Sequence, residues 1–345
     1  MSSIYNETQP LLESTMAKGL NWKDVDQDGH LSDVQINVDI HHNGLSRREK
    51  NGDVLELTSP KEEPNFRPEK WKTLVAFAFL SANLIFNLMC LSIVHERVPD
   101  RTKYPPLPDI FFDYFPPADW ALDVSEIIIM IATWSTLILI FFHRHRFIIL
   151  RRVFVIIGLL YFMRGITMFV TQVPIASTTY FCSPKANSTN PLLIGKRVLQ
   201  LMSGFGLSIN GQHIFCGDYI YSGHTVILTM AYLIFQEYGP RKYFILPCIV
   251  WLASAVGIFM VLLSRGHYTV DVVIAYYVTT RVFWIYHTMA NNPSLKTSGD
   301  NNFLANVWWF PLFSYFEKNV NSPVPCRHEW PLPWPRRFLR HTRIS

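Results

Sequence analysis

Six long apolar segments constrain the fold of this 345-residue chain more than any other feature of its sequence. Each is close to the ~20 residues that a helix needs to cross about 30 Å of hydrocarbon. Backbone polar groups must be satisfied within lipid, so these segments are expected to be helices. The sequence therefore predicts an all-α membrane protein, a bundle of six transmembrane helices. The predicted spans are residues 72–94, 120–142, 153–174, 219–236, 243–264 and 268–290, and the fourth is the weakest because it begins with polar residues.

Charge divides the chain into an acidic leader and a basic body. Residues 1–70 hold 13 of the 26 acidic residues but only 8 of the 31 basic ones. Charged residues make up 17% of the chain, against roughly 25% in soluble proteins, which excludes a single soluble globule. Residues 1–68 lack helical or strand periodicity and are predicted to be a disordered, acidic cytosolic leader. The six-helix transmembrane domain is predicted at 69–290, followed by a basic, Pro- and Trp-rich cytosolic tail at 291–345.

Lys and Arg in the short loops predict the orientation. The segment 143–152 between the second and third spans holds four arginines, and the next loop on that side holds Arg241 and Lys242. The positive-inside rule places these loops and both termini in the cytosol. The glycosylation sequon at Asn187 is then lumenal, and the sequon at Asn6 is cytosolic and unused. Positive cytosolic loops are expected of any membrane protein, so they do not indicate a nucleic-acid partner.

Two histidine motifs fall on the predicted lumenal side. One is Tyr221-Ser222-Gly223-His224-Thr225, and the other is His267-Tyr268-Thr269-Val270-Asp271. His267 and Asp271 are four residues apart, so they share one face of a helix. A carboxylate that fixes one imidazole nitrogen leaves the other free as a nucleophile, and a second histidine can serve as general acid and base. An ionisable Asp271 within a span is itself a functional candidate, although a single histidine at a membrane interface is usually only an interfacial side chain.

These motifs, together with two further segments, closely resemble the sphingomyelin synthase family. The further segments are Pro105-Pro106-Leu107-Pro108-Asp109 and the stretch from Arg151 through Arg164 to Pro174. The histidine motifs alone also look like the second and third motifs of the lipid phosphate phosphatase superfamily, but the first motif of that superfamily is not apparent. The sphingomyelin synthase resemblance covers residues 70–335 in order.

The resemblance implies transfer of phosphocholine from phosphatidylcholine to ceramide, giving sphingomyelin and diacylglycerol. It implies a catalytic triad of His224, His267 and Asp271, with no metal and no cofactor. The expected location is the Golgi or plasma membrane, with a lumenal or extracellular active site. The alternatives are a ceramide phosphoethanolamine synthase, a lipid phosphate phosphatase, and a membrane scaffold or transporter without enzymatic activity. A homo-oligomer is left open.

Four further charged residues are candidates for substrate binding: Arg164, Asp109, Asp218 and Arg265. Arg164 lies about 11 residues inside the third span, where an arginine needs a partner. It can hold a substrate phosphate or pair with Asp109 or Asp218. Asp218 is also expected to start the fourth helix, which is a common role for Asp.

The cysteines raise two further expectations. Cys182 and Cys216 are both on the predicted lumenal side, where oxidation is allowed, so a disulfide between them is one alternative. Cys326 in the basic tail is a candidate for palmitoylation, with a plain free thiol as the alternative.

Overall fold

The computed structural model describes residue 66 and residues 68–177, 182–185, 191–203, 215–299 and 302–330, together with the backbone of two short strands. The strands are β1 (Arg47–Lys50) and β2 (Asp53–Glu56), which pair antiparallel. In the sequence they flank Asn51-Gly52, a dipeptide typical of tight hairpins. The strands belong to a unit of residues 1–64, separate from the unit of residues 65–345. The disorder predicted for the rest of the leader, and the end of the tail, lie outside the described residues.

The second unit is built from nine helices in its described part. They are α1 (Lys70–Arg97), α2 (Ile110–Tyr114), α3 (Trp120–Phe142), α4 (Arg146–Val170), α5 (Pro191–Ser203), α6 (Gly223–Tyr238), α7 (Ile245–Leu263), α8 (Thr269–Asn291) and α9 (Phe310–Glu317). Short 3-10 turns at Pro293–Lys296 and Phe303–Asn306 connect α8 to α9.

Four of these helices, α1, α3, α4 and α7, are long and apolar enough to cross a membrane. This confirms a helical membrane protein with several spans. The other two predicted spans coincide with α6 and α8, which are helical but less apolar or shorter. Both carry polar residues that belong to the site described below.

Two predicted boundaries are wrong. The helix α4 begins at Arg146 rather than at 153, so Arg151 and Arg152 lie inside a helix and not in a loop. They are tolerated there because Glu69 and Glu317 neutralise them. The helix α6 begins at Gly223 rather than at 219, because the preceding residues form a loop that contacts α4 and α8.

The helices pack in two groups, α1 with α4 and α3 with α6 and α7, and α8 joins them because it contacts both α4 and α6. The longest contact runs between α1 and α4, while α3 and α7 pack together and against α6. The main apolar core lies where α4, α6 and α8 meet, with α9 closing one end. Its fully buried members include Leu160, Leu233, Tyr286 and Phe313. This arrangement brings the first turns of α6 and α8 side by side.

A buried cluster of charges joins α9 to the bundle. Arg152 donates from Nε and Nη2 to the two carboxylate oxygens of Glu317, at 3.1 and 2.8 Å. Nη2 of Arg151 lies 3.9 Å from the same carboxylate, and the hydroxyl of Tyr286 donates to it at 3.3 Å. Arg151 also donates to Glu69, at the start of α1. The cluster therefore links the starts of α1 and α4 to the C-terminal part of the chain.

Candidate active site

The loop of residues 215–222 delivers the first histidine. Ser222 caps α6, because its Oγ accepts from the backbone N–H of Thr225 at 3.3 Å. This serine is a favoured residue for that position. It fixes His224 in the first turn of the helix, with 20% of the side chain exposed.

The start of α8 delivers the second histidine and its carboxylate. His267 lies two residues before the helix, and Asp271 lies in its first turn. The Asp271 carboxylate accepts from the backbone N–H of Tyr268 and of Ile220, both at 2.9 Å. It thereby ties the α8 start to the loop before α6. Ile220 has a positive φ of 73°, which is unfavourable for a β-branched residue. Its bond to Asp271 helps to hold it in this conformation.

The two histidines face one another beside this carboxylate. The ring centroids of His224 and His267 are 5.7 Å apart. Nδ1 of His267 lies 3.4 Å from Oδ2 of Asp271, and only 3% of the His267 side chain is exposed. The structure therefore brings together the three residues expected to form a triad, and Asp271 faces one nitrogen of His267 and leaves the other available.

A fourth ionisable residue joins the site without having been predicted. Glu126 on α3 is buried, and its Oε1 lies 3.9 Å from Nε2 of His224. Its signal was present in the sequence, because it is a carboxylate inside a predicted span. Its pairing with His224 could not be predicted from the sequence, because the two residues are 98 positions apart and meet only when α3 packs on α6.

Asp109 is engaged with the backbone at two helix starts. Its carboxylate accepts from the N–H and hydroxyl of Thr269, both at 2.7 Å, and from the N–H of Phe111 at 2.9 Å. It thereby occupies the N-terminus of α8, two residues after His267, where a negative charge is favourable.

Arg164 and Asp218 form an ion pair beside the loop, one of the two pairings that the sequence left open. Asp218 does not start α6, contrary to the expectation, because Ser222 holds that position. Arg265 has a positive φ of 53° and donates to the carbonyl oxygen of Phe112 at 3.1 Å, with its guanidinium over the Phe112 ring. The side chain of this arginine is therefore held by α2.

Cys182 and Cys216 lie in segments near the site, whereas Cys326 lies at the far end of α6. Cys182 and Cys216 are joined by a disulfide, so the alternative raised from the sequence is confirmed. Cys326 is a half-buried thiol that donates to the carbonyl oxygens of Tyr238 and Gly239. Within the described ranges, no three His, Cys, Asp or Glu side chains are grouped to hold a metal ion.

Comparison with known proteins agrees with this geometry. Residues 215–288, which contain both histidine motifs, match the family described as PAP2 superfamily C-terminal. The chain is 48% identical over 297 residues to the mouse protein named phosphatidylcholine:ceramide cholinephosphotransferase 2, covering 85% of this chain and 80% of that protein. It is 44% identical over 317 residues to the human protein named phosphatidylcholine:ceramide cholinephosphotransferase 1, covering 90% and 76%. The chain belongs to the sphingomyelin synthase family.

The similarity to the sphingomyelin synthase family extends well beyond the histidine motifs. The matched superfamily segment covers only 74 residues, from 215 to 288. The match to the cholinephosphotransferases covers most of the bundle, which includes the helices that carry Glu126 and Arg164. The whole helical scaffold of the site, and not only its two motifs, is therefore shared with this family.

Proposed function

We propose that this protein transfers phosphocholine from phosphatidylcholine to the primary hydroxyl of ceramide, giving sphingomyelin and diacylglycerol. The observation that carries the proposal is the pair of facing histidines with a buried carboxylate 3.4 Å from one of them. The printed names of the relatives supply the donor and acceptor lipids. The alternatives of a phosphatase and of a scaffold lack this combined support.

In the first half of the reaction, His267 attacks the donor phosphorus through Nε2. Asp271 holds the proton on Nδ1, which keeps the lone pair of Nε2 available for attack. A P–N bond forms, and the bond between phosphorus and the diacylglycerol oxygen breaks. Protonated His224 donates its proton to that oxygen, so diacylglycerol leaves as a neutral alcohol.

In the second half, ceramide takes the place of diacylglycerol. His224, now neutral, removes the proton from the ceramide hydroxyl, and the oxygen attacks phosphorus. The P–N bond breaks, and the electron pair returns to Nε2 of His267. The same histidine thus serves as acid and then as base, while the phosphocholine group is carried on the other.

Glu126 is proposed to orient the ring of His224. Its carboxylate oxygen Oε1 lies 3.9 Å from Nε2 of His224, so an acidic side chain faces this histidine from α3. Asp109 is proposed to hold the α8 start through Thr269, because its carboxylate oxygens are used in that contact. Arg265 remains a candidate for contact with the donor lipid, since it lies two residues before His267.

We further propose six spans with both termini in the cytosol and the histidines on the lumenal or extracellular side. The packing of α6 and α8 among the four strongly apolar helices supports this count. The proposed parts are the cytosolic leader 1–68, the catalytic domain 69–290 and the cytosolic tail 291–345. The Golgi and plasma membranes are the proposed compartments. Imaging of a tagged protein tests this proposal, and absence of the protein from both membranes would refute it.

A product assay tests the function. The full-length protein is reconstituted in nanodiscs that contain phosphatidylcholine and phosphatidylethanolamine in equal amounts, and labelled ceramide is added. We expect labelled sphingomyelin as the main product. Phosphoethanolamine-ceramide as the main product would replace the proposed head group, and free phosphocholine or phosphate without a ceramide product would refute transfer.

His267→Ala tests the mechanism in the same nanodiscs. Activity is expected to fall by at least about 10³-fold, because the attacking nitrogen is removed. His145→Gln is the matched control, since His145 precedes α4 and is not part of the site. Retained transfer by His267→Ala would contradict the assignment of the nucleophile.

A further inference from the structure

Arg164 lies on α4, next to the loop of residues 215–222 that precedes His224, and it is 4% exposed. Its three nitrogens engage three different partners. Nε donates to the carbonyl oxygen of Tyr221 at 2.9 Å, Nη1 donates to the side-chain oxygen of Asn87, and Nη2 pairs with Asp218. One side chain therefore joins α4, α1 and both ends of the Asp218–Tyr221 segment.

The guanidinium also lies directly against the first residue of α6. A Cβ placed on Gly223 would be 3.3 Å from Cζ, Nε and Nη2 of Arg164, which is closer than about nine in ten real Cβ contacts. Glycine at this position therefore lets the planar guanidinium approach the backbone just before His224. Arg164 therefore contacts Asp218 and Tyr221 in the loop and Gly223 at the start of α6.

These contacts argue against a phosphate-binding role for Arg164. Each of its nitrogens already has a protein partner, and the Asp218 carboxylate offsets its charge. Asp218 itself is 30% exposed, so the pair lies at the edge of the site with the acidic partner outward. A substrate phosphate would have to displace a carboxylate that is already in place.

We propose that Arg164 is a positioning residue for the transfer reaction, which fixes the loop so that His224 faces His267 and Ile220 reaches Asp271. The proposal rests on the proposed function of these histidines. Its physical basis is the planar fork of arginine, which can bind a carbonyl, an amide oxygen and a carboxylate at once. A lysine ammonium is a point charge and cannot reproduce that geometry.

Two variants and one control test the proposal in nanodiscs. Arg164→Lys keeps the positive charge but loses the fork. Gly223→Ala leaves Arg164 unchanged and presses a methyl group against it. The matched control is Arg152→Lys, because Arg152 is also a buried arginine on α4 with three nitrogens bonded, to Glu317 and Tyr238, and lies twelve residues before Arg164. For each variant, kcat, the KM for phosphatidylcholine and the apparent melting temperature are measured.

We expect Arg164→Lys to lower kcat by about 10²-fold, because small misplacements of a reacting group have effects of that size. Gly223→Ala is expected to lower kcat by about 10-fold on the same ground. In both, the KM for phosphatidylcholine stays within about twofold, as expected when an interaction acts in the transition state. The kcat of Arg152→Lys is expected to match that of the unchanged protein.

Three results would overturn the proposal. A raised KM with unchanged kcat in Arg164→Lys would indicate direct contact with the donor phosphate. Loss of kcat in Arg152→Lys equal to that in Arg164→Lys would indicate a general effect of disturbing buried arginines. If Arg164→Lys does not fold, Gly223→Ala decides, and an unchanged kcat in it refutes the role. Failure of the proposed function is seen separately, because it changes the product formed by the unchanged protein.

Discussion

Replacing Glu317 by Gln is expected to destabilise the bundle far more than its position near the C-terminus would indicate. The side chain is fully buried and accepts from two nitrogens of Arg152, with Arg151 at 3.9 Å. Glutamine has nearly the same shape but no charge, so both guanidinium groups lose their shared buried counter-ion. The change therefore isolates the electrostatic part of the contact between α9 and α4.

The expected magnitude follows from the burial of this ion pair. Removing one partner of a buried pair costs about 3–5 kcal/mol, because the other charge is left uncompensated. Each kcal/mol lost lowers the melting temperature of a large domain by about 2–4 °C, so the apparent melting temperature should fall by about 6–20 °C. An exposed pair on the same side of the bundle, Arg144 with Glu329, is expected to contribute far less.

The measurement is thermal unfolding of the full-length protein in nanodiscs, followed by the loss of the monodisperse peak in size-exclusion chromatography. Glu329→Gln is the matched control, because it makes the same chemical change in the exposed pair. The reasoning is refuted if the two variants have melting temperatures within about 2 °C of each other.

The pH dependence of the unchanged protein provides a second readout of the same contact. Burial alone would raise the pKa of Glu317, but Arg152 and Arg151 outweigh it and lower the pKa below its ordinary value of 4.5. A carboxyl group with a lowered folded-state pKa stabilises the fold above its unfolded pKa. That stability is lost as the pH falls below about 4.5, and Glu317→Gln should show a shallower loss there.

Two other predictions follow from the loop and from the topology. Gly217→Ala should abolish transfer and lower the melting temperature, because Gly217 has a φ of 109° and an added Cβ would lie 2.4 Å from a Val98 methyl carbon. Gly195→Ala, with open space around it, is the control, and equal behaviour of the two would refute the argument. In cells, a glycan is expected on Asn187 and none on Asn6, measured by enzymatic deglycosylation of single-sequon variants. A glycan on Asn6 would overturn the proposed orientation.

Helix positions were largely predictable because lipid imposes a simple rule on sequence. A span must be apolar over about 20 residues, so the predicted spans near α1, α3 and α7 agree with the observed helices within a few residues. The start of α4 was predicted too late in the chain, because the rule treats a charged residue as unfavourable within a span even where tertiary contacts neutralise the charge. Arg151 and Arg152 appear as loop residues when read alone, and as buried helix residues once Glu69 and Glu317 are in place.

The contacts of the site also fall into those that the sequence predicted and those that only the structure revealed. His267 and Asp271 were predicted as a unit from helical spacing, and they do lie side by side, but His267 precedes α8 by two residues and meets Asp271 across the start of that helix. The contacts of Glu126 with His224, and of Asp109 with Thr269, join residues about 100 and 160 positions apart. No local pattern encodes such contacts. We expected Asp218 to start a helix because Asp is common at helix starts. That expectation was wrong, because the structure pairs this carboxylate with Arg164.

By itself, the sequence determined that this protein is a helical membrane protein and which family it resembles, and it named His224, His267 and Asp271 as candidates for the chemistry. These follow from local rules: the apolar length of a span and motifs of a few residues. Only the tertiary structure decided which partner each buried charge has, and therefore which charges are free to act on a substrate. The physical reason is that an ion in a low-dielectric interior must be paired, and its partner is chosen by helix packing rather than by distance along the chain.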